Sequence, residues 1–129
     1  MVNKAGCILV NKDTKQIALV YREQFNDISF PKGHVEEGET EHETAIREVK
    51  EETNYDVEIV NEKRFVERYI IDNKIDKEVV YFIAKKIGGE AEKQESEVTD
   101  IKWCSFDEAI ETVTFDNLKQ LLKNVYKEI

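Results

Sequence analysis

The sequence predicts an α+β fold, in which a central mixed sheet carries helices on its faces. Two observations support this prediction. Segments rich in β-branched and aromatic residues alternate along the chain with segments whose apolar residues recur at helical spacing. Two long strand-like segments follow each other in the middle of the chain. The 129 residues contain no repeat and no linker, so we expect residues 1–129 to form one compact domain.

The predicted strands form two pairs and one further segment. Ala5–Val10 and Gln16–Arg22 are apolar and are separated by a polar turn, which predicts a hairpin or two neighbouring strands. Val57–Ile71 and Lys77–Lys86 are predicted as two long strands. The unbroken apolar run in the second of these is typical of a strand that is covered on both faces. Thr99–Cys104 is a further short strand.

Three helices are predicted from capping residues and periodicity. The first begins at Thr40, because Thr40 and Glu43 fit a capping box. It ends near Thr53, where Asn54 can adopt the left-handed conformation that terminates helices. Ser105 begins the second helix with the same kind of box. The third has one apolar stripe, formed by Leu118, Leu121, Leu122 and Val125.

Composition limits the function classes. The 19 basic and 28 acidic side chains give a net charge of −9, which disfavours binding to a nucleic-acid polymer but permits a small phosphorylated ligand. No apolar run approaches the roughly 20 residues that cross a bilayer, and no signal peptide is evident, so we expect a cytoplasmic protein without a membrane partner. Cys7 and Cys104 lie among apolar neighbours and are predicted to be buried free thiols.

Three glutamates share one face of the first predicted helix. Glu48, Glu51 and Glu52 stand at positions i, i+3 and i+4, where their like charges repel one another. A divalent cation would relieve this repulsion, and carboxylate oxygens suit Mg²⁺ or Mn²⁺. The alternative is a solvated acidic helix face. The adjacent apolar face, which would anchor the helix to the core, consists of Ala45, Ile46 and Val49.

The residues around these glutamates resemble the Nudix box, G-x5-E-x7-R-E-U-x-E-E-x-G-U, in which U is aliphatic. Two positions depart from the pattern, because Asn54 replaces a glycine and Tyr55 replaces an aliphatic residue. Asparagine is the next-best residue for a left-handed helix end, and Tyr55 can still bury its ring. The resemblance implies a Nudix-like α/β/α sandwich and a pyrophosphohydrolase. The matching positions are Gly33, Glu39, Arg47, Glu48, Val49, Glu51 and Glu52.

The resemblance also implies roles for these residues. Glu48, Glu51, Glu52 and the backbone carbonyl of Lys32 would bind Mg²⁺ or Mn²⁺. Arg47 would be held by Glu39 and would orient the carboxylates; the alternative for this pair is an ordinary surface ion pair. Gly33 and Gly38 would allow the loop before the helix to fold tightly. The candidate catalytic residues are Glu51, Glu52, Arg47 and Glu97, with Glu52 or Glu97 as the general base.

Flanking segments resemble the asymmetrical diadenosine tetraphosphate hydrolases. The matching features are the segment Pro31–Glu36, the aromatic strand Tyr81–Ala84, Glu97 before Lys102-Trp103, and Phe115. The resemblance implies cleavage of a dinucleoside tetraphosphate to a nucleoside triphosphate and a monophosphate. Glu97 would be a loop carboxylate at the metal site. The candidate substrate-binding residues are His34 and Lys32 for phosphate, and Tyr81 and Phe115 for stacking on a base.

Several alternatives remain at this point. Other Nudix substrates include an oxidised or ordinary nucleoside triphosphate, ADP-ribose and a triphosphorylated RNA 5′ end. A non-catalytic nucleotide-binding module and a structural protein with an acidic helix represent different classes. For each residue with a proposed role in substrate binding, burial in the core or exposure to solvent is the competing interpretation. The oligomeric state, monomer or homodimer, is open.

Overall fold

We describe a computed structural model that covers residues 2–71, 73–91 and 98–129. Within these ranges the chain forms eight strands, three helices and one 3-10 turn, Glu23–Phe25. The strands are β1 Lys4–Asn11, β2 Gln16–Arg22, β3 Asp27–Ser29, β4 Lys32–His34, β5 Asp56–Ile59, β6 Phe65–Ile71, β7 Lys74–Gly88 and β8 Asp100–Ser105. The helices are α1 Glu41–Thr53, α2 Phe106–Thr112 and α3 Asp116–Tyr126.

The mixed sheet follows the order β3-β2-β1-β7-β5. β1 lies parallel to β7 and antiparallel to β4, and its last residues pair with β2 to form the predicted hairpin. The other edge of β7 pairs first with β6 and then with β5, and β1 lies along the middle of β7, from Val79 to Ala84. β8 pairs with β2. This arrangement confirms the predicted mixed sheet.

Helices cover both faces of the sheet and bury two apolar clusters. α1 packs Ala45 and Val49 onto the face that carries Cys7 and Phe82. The third helix packs onto the opposite face, where its predicted stripe is buried, together with residues of α2. The predicted α/β/α sandwich is therefore confirmed. Ile46 differs from the prediction, because its side chain is exposed and does not anchor α1.

Most local predictions are confirmed, and one strand is not. Val57–Ile71 was predicted as a single strand, but it divides into β5 and β6. The side chain of Asn61 accepts a hydrogen bond from the backbone N–H of Lys63, 2.9 Å away, and this local turn interrupts the extended backbone. Cys7 and Cys104 are buried free thiols, as predicted.

No helix among the described residues is long and apolar enough to cross a membrane.

Candidate active site

The helix that carries the three glutamates is fixed at both ends. The Thr40 hydroxyl accepts from the N–H of Glu43 at 3.1 Å, and the Glu43 carboxylate accepts from the N–H of Thr40 at 2.9 Å. This reciprocal capping box starts α1. Asn54 ends the helix with a φ of 67°, in the left-handed region. Gly38, with a φ of +86°, provides the predicted turn before the helix.

Arg47 links the loop and the helix. Its Nε and Nη2 atoms donate to the two carboxylate oxygens of Glu39 at 2.7 and 3.0 Å. Nη2 also donates to the backbone carbonyl of His34 at 3.0 Å, and Nη1 donates to both oxygens of Glu51 at 3.1 Å. The predicted contact between Arg47 and Glu39 is therefore present, in a planar two-bond geometry that lysine cannot reproduce.

The backbone of β4 supports the other two glutamates. Gly33 has an ordinary strand conformation, and its missing side chain leaves space for Glu48. A Cβ atom at position 33 would lie 1.9 Å from a carboxylate oxygen of Glu48. The N–H of Lys32 donates to Glu52 at 3.1 Å. Glycine at position 33 therefore makes room for the Glu48 carboxylate in its observed position, rather than forming a turn.

Burial and the neighbouring carboxylates disfavour the ionised forms of Glu48 and Glu52. Burial and the nearby charge of Glu51 raise the pKa of Glu48 to about 7. Burial raises the pKa of Glu52 to about 8; Glu48 adds to this rise, and the ammonium group of Lys32 opposes it. Burial and the charge of Arg22 lower the pKa of Lys32 to about 8. A bound cation would relieve the repulsion between the carboxylates.

A cleft of about 580 Å³ opens over these residues, and we call it the box cleft. Its volume is within the range of small-molecule sites. Its side chains combine opposite charges from different elements. The acidic residues of α1 in the lining are Glu48, Glu51 and Glu52, and the basic residues from four different strands are Lys4, Arg22, Lys32 and Lys77. A larger depression of about 800 Å³, near Trp103, contains none of the box residues.

The donor set fits a divalent cation by its chemistry. The three carboxylates in the box cleft offer the oxygen ligands that Mg²⁺ and Mn²⁺ prefer, and the resemblance to the Nudix box implies the backbone carbonyl of Lys32 as a fourth. Among the described residues, no three acidic, histidine or cysteine side chains converge closely enough to hold an ion as they stand. Arg47 contacts Glu48 and Glu51, and the N–H of Lys32 binds Glu52. Side-chain rotation is therefore needed for the glutamates to act as ligands.

The predicted substrate-binding residues have different locations. His34 and Lys32 line the box cleft, and the ammonium of Lys32 lies 3.3 Å from the hydroxyl of Ser29. His42, the other histidine of the chain, packs edge-on against Phe82 at a centroid distance of 4.3 Å. Glu97 lies outside the described residues.

The structure contradicts the predicted stacking role of Tyr81. Its side chain is 0% exposed, and its ring packs edge-on against Phe30 at a centroid distance of 5.5 Å. The Tyr81 hydroxyl is buried beside that of Tyr69 without a well-formed hydrogen bond. The residue lies in a strand that is covered on both faces, so a base cannot reach its ring. Phe115 is 37% exposed but packs against Tyr69, and it is not among the residues that line the box cleft.

Four residues of the box cleft are not predicted from the sequence: Lys4, Arg22, Phe25 and Lys77. No spacing rule connects them, because they come from β1, β2, the 3-10 turn and β7. The only local signal is the pairing of Arg22 with Asp27, five residues later, which the structure shows as two hydrogen bonds of 2.9 and 2.6 Å.

The class of protein is defined by two features. One is the mixed sheet between helices, and the other is the glutamate-rich helix α1, which Arg47 ties to the preceding loop and which lies against Gly33. The NUDIX domain family model matches residues 2–128, and the chain therefore belongs to the Nudix family. The chain also resembles the Caenorhabditis elegans Ap4A hydrolase in its binary complex, with a TM-score of 0.84 and 28% identity over 98% of this chain and 96% of that one.

The relatives found by sequence similarity have several different activities. The asymmetrical bis(5′-nucleosyl)-tetraphosphatase of C. elegans is 33% identical over 95 residues, which are 72% of this chain and 69% of that protein. The 8-oxo-(d)GTP phosphatase of Mycolicibacterium smegmatis is 30% identical over 114 residues, 88% of this chain but 34% of that protein. The mRNA-decapping enzyme subunit 2 of Saccharomyces cerevisiae is matched over only 12% of its length. The chain thus spans about a third or less of these two longer relatives.

Proposed function

We propose that this chain hydrolyses a pyrophosphate linkage in a nucleoside polyphosphate, and that a dinucleoside tetraphosphate is among its better substrates. The observation that supports the reaction is the box cleft itself, in which the glutamates of α1 lie close to lysine and arginine side chains from four strands. A polyphosphate needs both types of group, because cationic side chains attract its oxygens and carboxylates recruit the cation that accompanies them.

In the proposed reaction, water attacks a phosphorus atom and the bridging P–O bond breaks. Glu52 or Glu97 takes the proton of the attacking water. Lys32 and His34 hold the phosphate oxygens on which charge develops. Arg47 acts as a positioning residue, because it fixes the α1 face relative to the loop. A divalent cation, held by Glu48, Glu51, Glu52 and the Lys32 carbonyl, would neutralise the polyphosphate and act as a Lewis acid.

The support for a dinucleoside tetraphosphate comes from similarity over almost the whole length of the C. elegans Ap4A hydrolase. The products would be a nucleoside triphosphate and a nucleoside monophosphate. A second candidate is a single nucleoside triphosphate, ordinary or oxidised. Two observations favour it. The chain is similar to an 8-oxo-(d)GTP phosphatase, and Tyr81, one of the two rings predicted to stack on a base, is buried. A small nucleotide ligand remains favoured over a nucleic-acid polymer because the net charge is −9.

A substrate panel tests this proposal. Initial rates are measured with Mg²⁺ on a dinucleoside tetraphosphate, nucleoside triphosphates, 8-oxo-dGTP, ADP-ribose and a 5′-triphosphorylated RNA. Products are separated chromatographically after reaction in ¹⁸O-labelled water, which identifies the phosphorus atom attacked. We expect asymmetric cleavage of the tetraphosphate and no turnover in excess chelator. A panel without any hydrolysis, but with nucleotide binding, would favour a non-catalytic module.

The variant Glu52→Gln tests the role of the carboxylates in the same assay. We expect kcat to fall by about two orders of magnitude or more, the scale on which positioned bases contribute. Thermal stability of the metal-free variant should not fall, because burial already disfavours the Glu52 charge. The control is Glu111→Gln, at an exposed glutamate of α2. Equal turnover by Glu52→Gln and the wild type would refute the role.

A further inference from the structure

The 3-10 turn Glu23–Phe25 presents an exposed aromatic ring to the box cleft. Phe25 is 48% exposed and lines the cleft together with Glu48 and Glu52. Tyr81 and Phe115, the rings predicted to stack on a base, do not reach this cleft. A single exposed phenylalanine is common on protein surfaces, so the position of Phe25 in the same cleft as the α1 glutamates, rather than its exposure, indicates a ligand contact.

The ring is held in place by its neighbours. The guanidinium carbon of Arg22 lies 4.5 Å from the centre of the Phe25 ring. Arg22 is itself fixed by two hydrogen bonds to Asp27, whose side chain is buried. Asn26 ends the turn in the left-handed conformation, with its N–H donating to the Glu23 carbonyl at 3.0 Å. The Arg22–Phe25 pair is therefore preorganised rather than a loose surface contact.

We propose that Phe25, supported by Arg22, is the residue on which the nucleobase of the substrate stacks. This inference rests on the proposed function and assigns the base contact that Tyr81 cannot make. The phosphates would extend from this base towards Lys32 and the α1 glutamates. The cation on the Phe25 ring withdraws electron density from it, which favours stacking by an electron-rich purine. The contact would select substrates with a base over inorganic polyphosphates.

Steady-state kinetics test the stacking residue directly. KM and kcat are measured for Phe25→Ala, Phe25→Leu and Phe25→Trp on a nucleoside triphosphate and a dinucleoside tetraphosphate, and Ki is measured for inorganic tripolyphosphate. We expect the variants Phe25→Ala and Phe25→Leu to raise KM for both nucleotides by about ten-fold or more, which is the effect of losing the stacking of one base. The kcat values should change little, because the contact is the same in the ground state and the transition state. Trp should preserve the wild-type KM.

Two controls make the result specific. Tyr126→Ala removes a similarly exposed ring, 54% exposed, at the end of α3 and outside the box cleft, and it should leave KM unchanged. The Ki of tripolyphosphate should not change in any Phe25 variant. A parallel rise in that Ki would overturn the inference, because it would mean that Phe25 shapes the phosphate site. Folded Ala and Leu variants with wild-type KM would overturn it too.

A binding measurement separates this inference from the proposed function. The Kd of a nucleoside triphosphate is measured calorimetrically on wild type and Phe25→Ala. If the wild type binds the nucleotide but hydrolyses none of the panel, the proposed reaction is wrong, while a ten-fold weaker Kd in Phe25→Ala still supports the stacking residue. An unchanged Kd would refute the stacking role even if hydrolysis is observed.

Discussion

Arg47 and Glu39 form a planar pair, with two hydrogen bonds of 2.7 and 3.0 Å between the guanidinium and the carboxylate. The same guanidinium reaches the His34 carbonyl and the Glu51 carboxylate. One side chain therefore sets the position of the helix face relative to the preceding loop. This geometry distinguishes the pair from a surface ion pair, which would contribute little.

The variant Arg47→Lys should lower kcat by about 10- to 100-fold, because small displacements of positioned groups are costly in catalysis. Lysine retains the charge but cannot bind Glu39 at two points and Glu51 at the same time. The control is Arg64→Lys, since Arg64 makes a similar two-bond contact with Glu41, at 2.8 Å for each bond, outside the box cleft. Equal losses of kcat in both variants would show that Arg47 has no special positioning role.

Two glycines of paired strands should respond differently to substitution by alanine. In Gly33→Ala the new Cβ meets the Glu48 carboxylate, the end of a flexible side chain, at 1.9 Å. In Gly6→Ala it meets the Pro31 backbone carbonyl at 2.2 Å, where only a backbone shift relieves the clash. We expect Gly33→Ala to lose activity with little change in Tm, and Gly6→Ala to lower Tm. A lower Tm for Gly33→Ala than for Gly6→Ala would contradict the expectation that the backbone clash at position 6 is the more costly one.

Tyr81 should behave as a core residue. The variant Tyr81→Ala should lose about 3–5 kcal/mol of unfolding free energy, the usual cost of truncating a buried aromatic residue. Tyr81→Phe should keep wild-type stability or gain about 1 kcal/mol, because the buried hydroxyl has no well-formed hydrogen bond. Urea unfolding measures both effects, and KM should be unchanged in Tyr81→Phe. A stable Tyr81→Ala variant with a raised KM would restore the stacking role.

The Glu39 carboxylate should make stability depend on acid pH. Hydrogen bonds from Arg47 and Thr44 lower the pKa of Glu39 from 4.5 to about 2. Its contribution to stability is therefore complete above about pH 4.5 and is lost as the pH falls through about 2. Urea unfolding of metal-free wild type and Glu39→Gln between pH 2 and 6 tests this. The wild type should be more stable at pH 6, and the difference should disappear near pH 2. A constant difference would show that this pKa is not shifted.

The sequence predicts those parts of the structure that depend on nearby residues. Thr40 and Asn54 mark the ends of α1 because a helix cap depends on residues a few positions away. The break between β5 and β6 was missed because the Asn61 turn lies inside an otherwise strand-like segment. Periodicity could not show that Tyr81 is inaccessible, because an unbroken apolar run has no distinct outer face. Phe25 was missed because its position beside Glu48 and Glu52 depends on pairing between distant strands.

The parallel pairing of β1 with β7, in which Lys4 is opposite Val79, has a consequence for how the molecule assembles. The first strand takes its central place in the sheet only after a segment some 75 residues later is available. Contacts of such long sequence separation slow folding, because loop closure must precede their formation. During synthesis, α1 and its glutamates leave the ribosome before β7 does. The edge of β1 that pairs with β7 would then stay unpaired until the chain as far as Ala84 has emerged, and an unpaired strand edge favours aggregation during this interval.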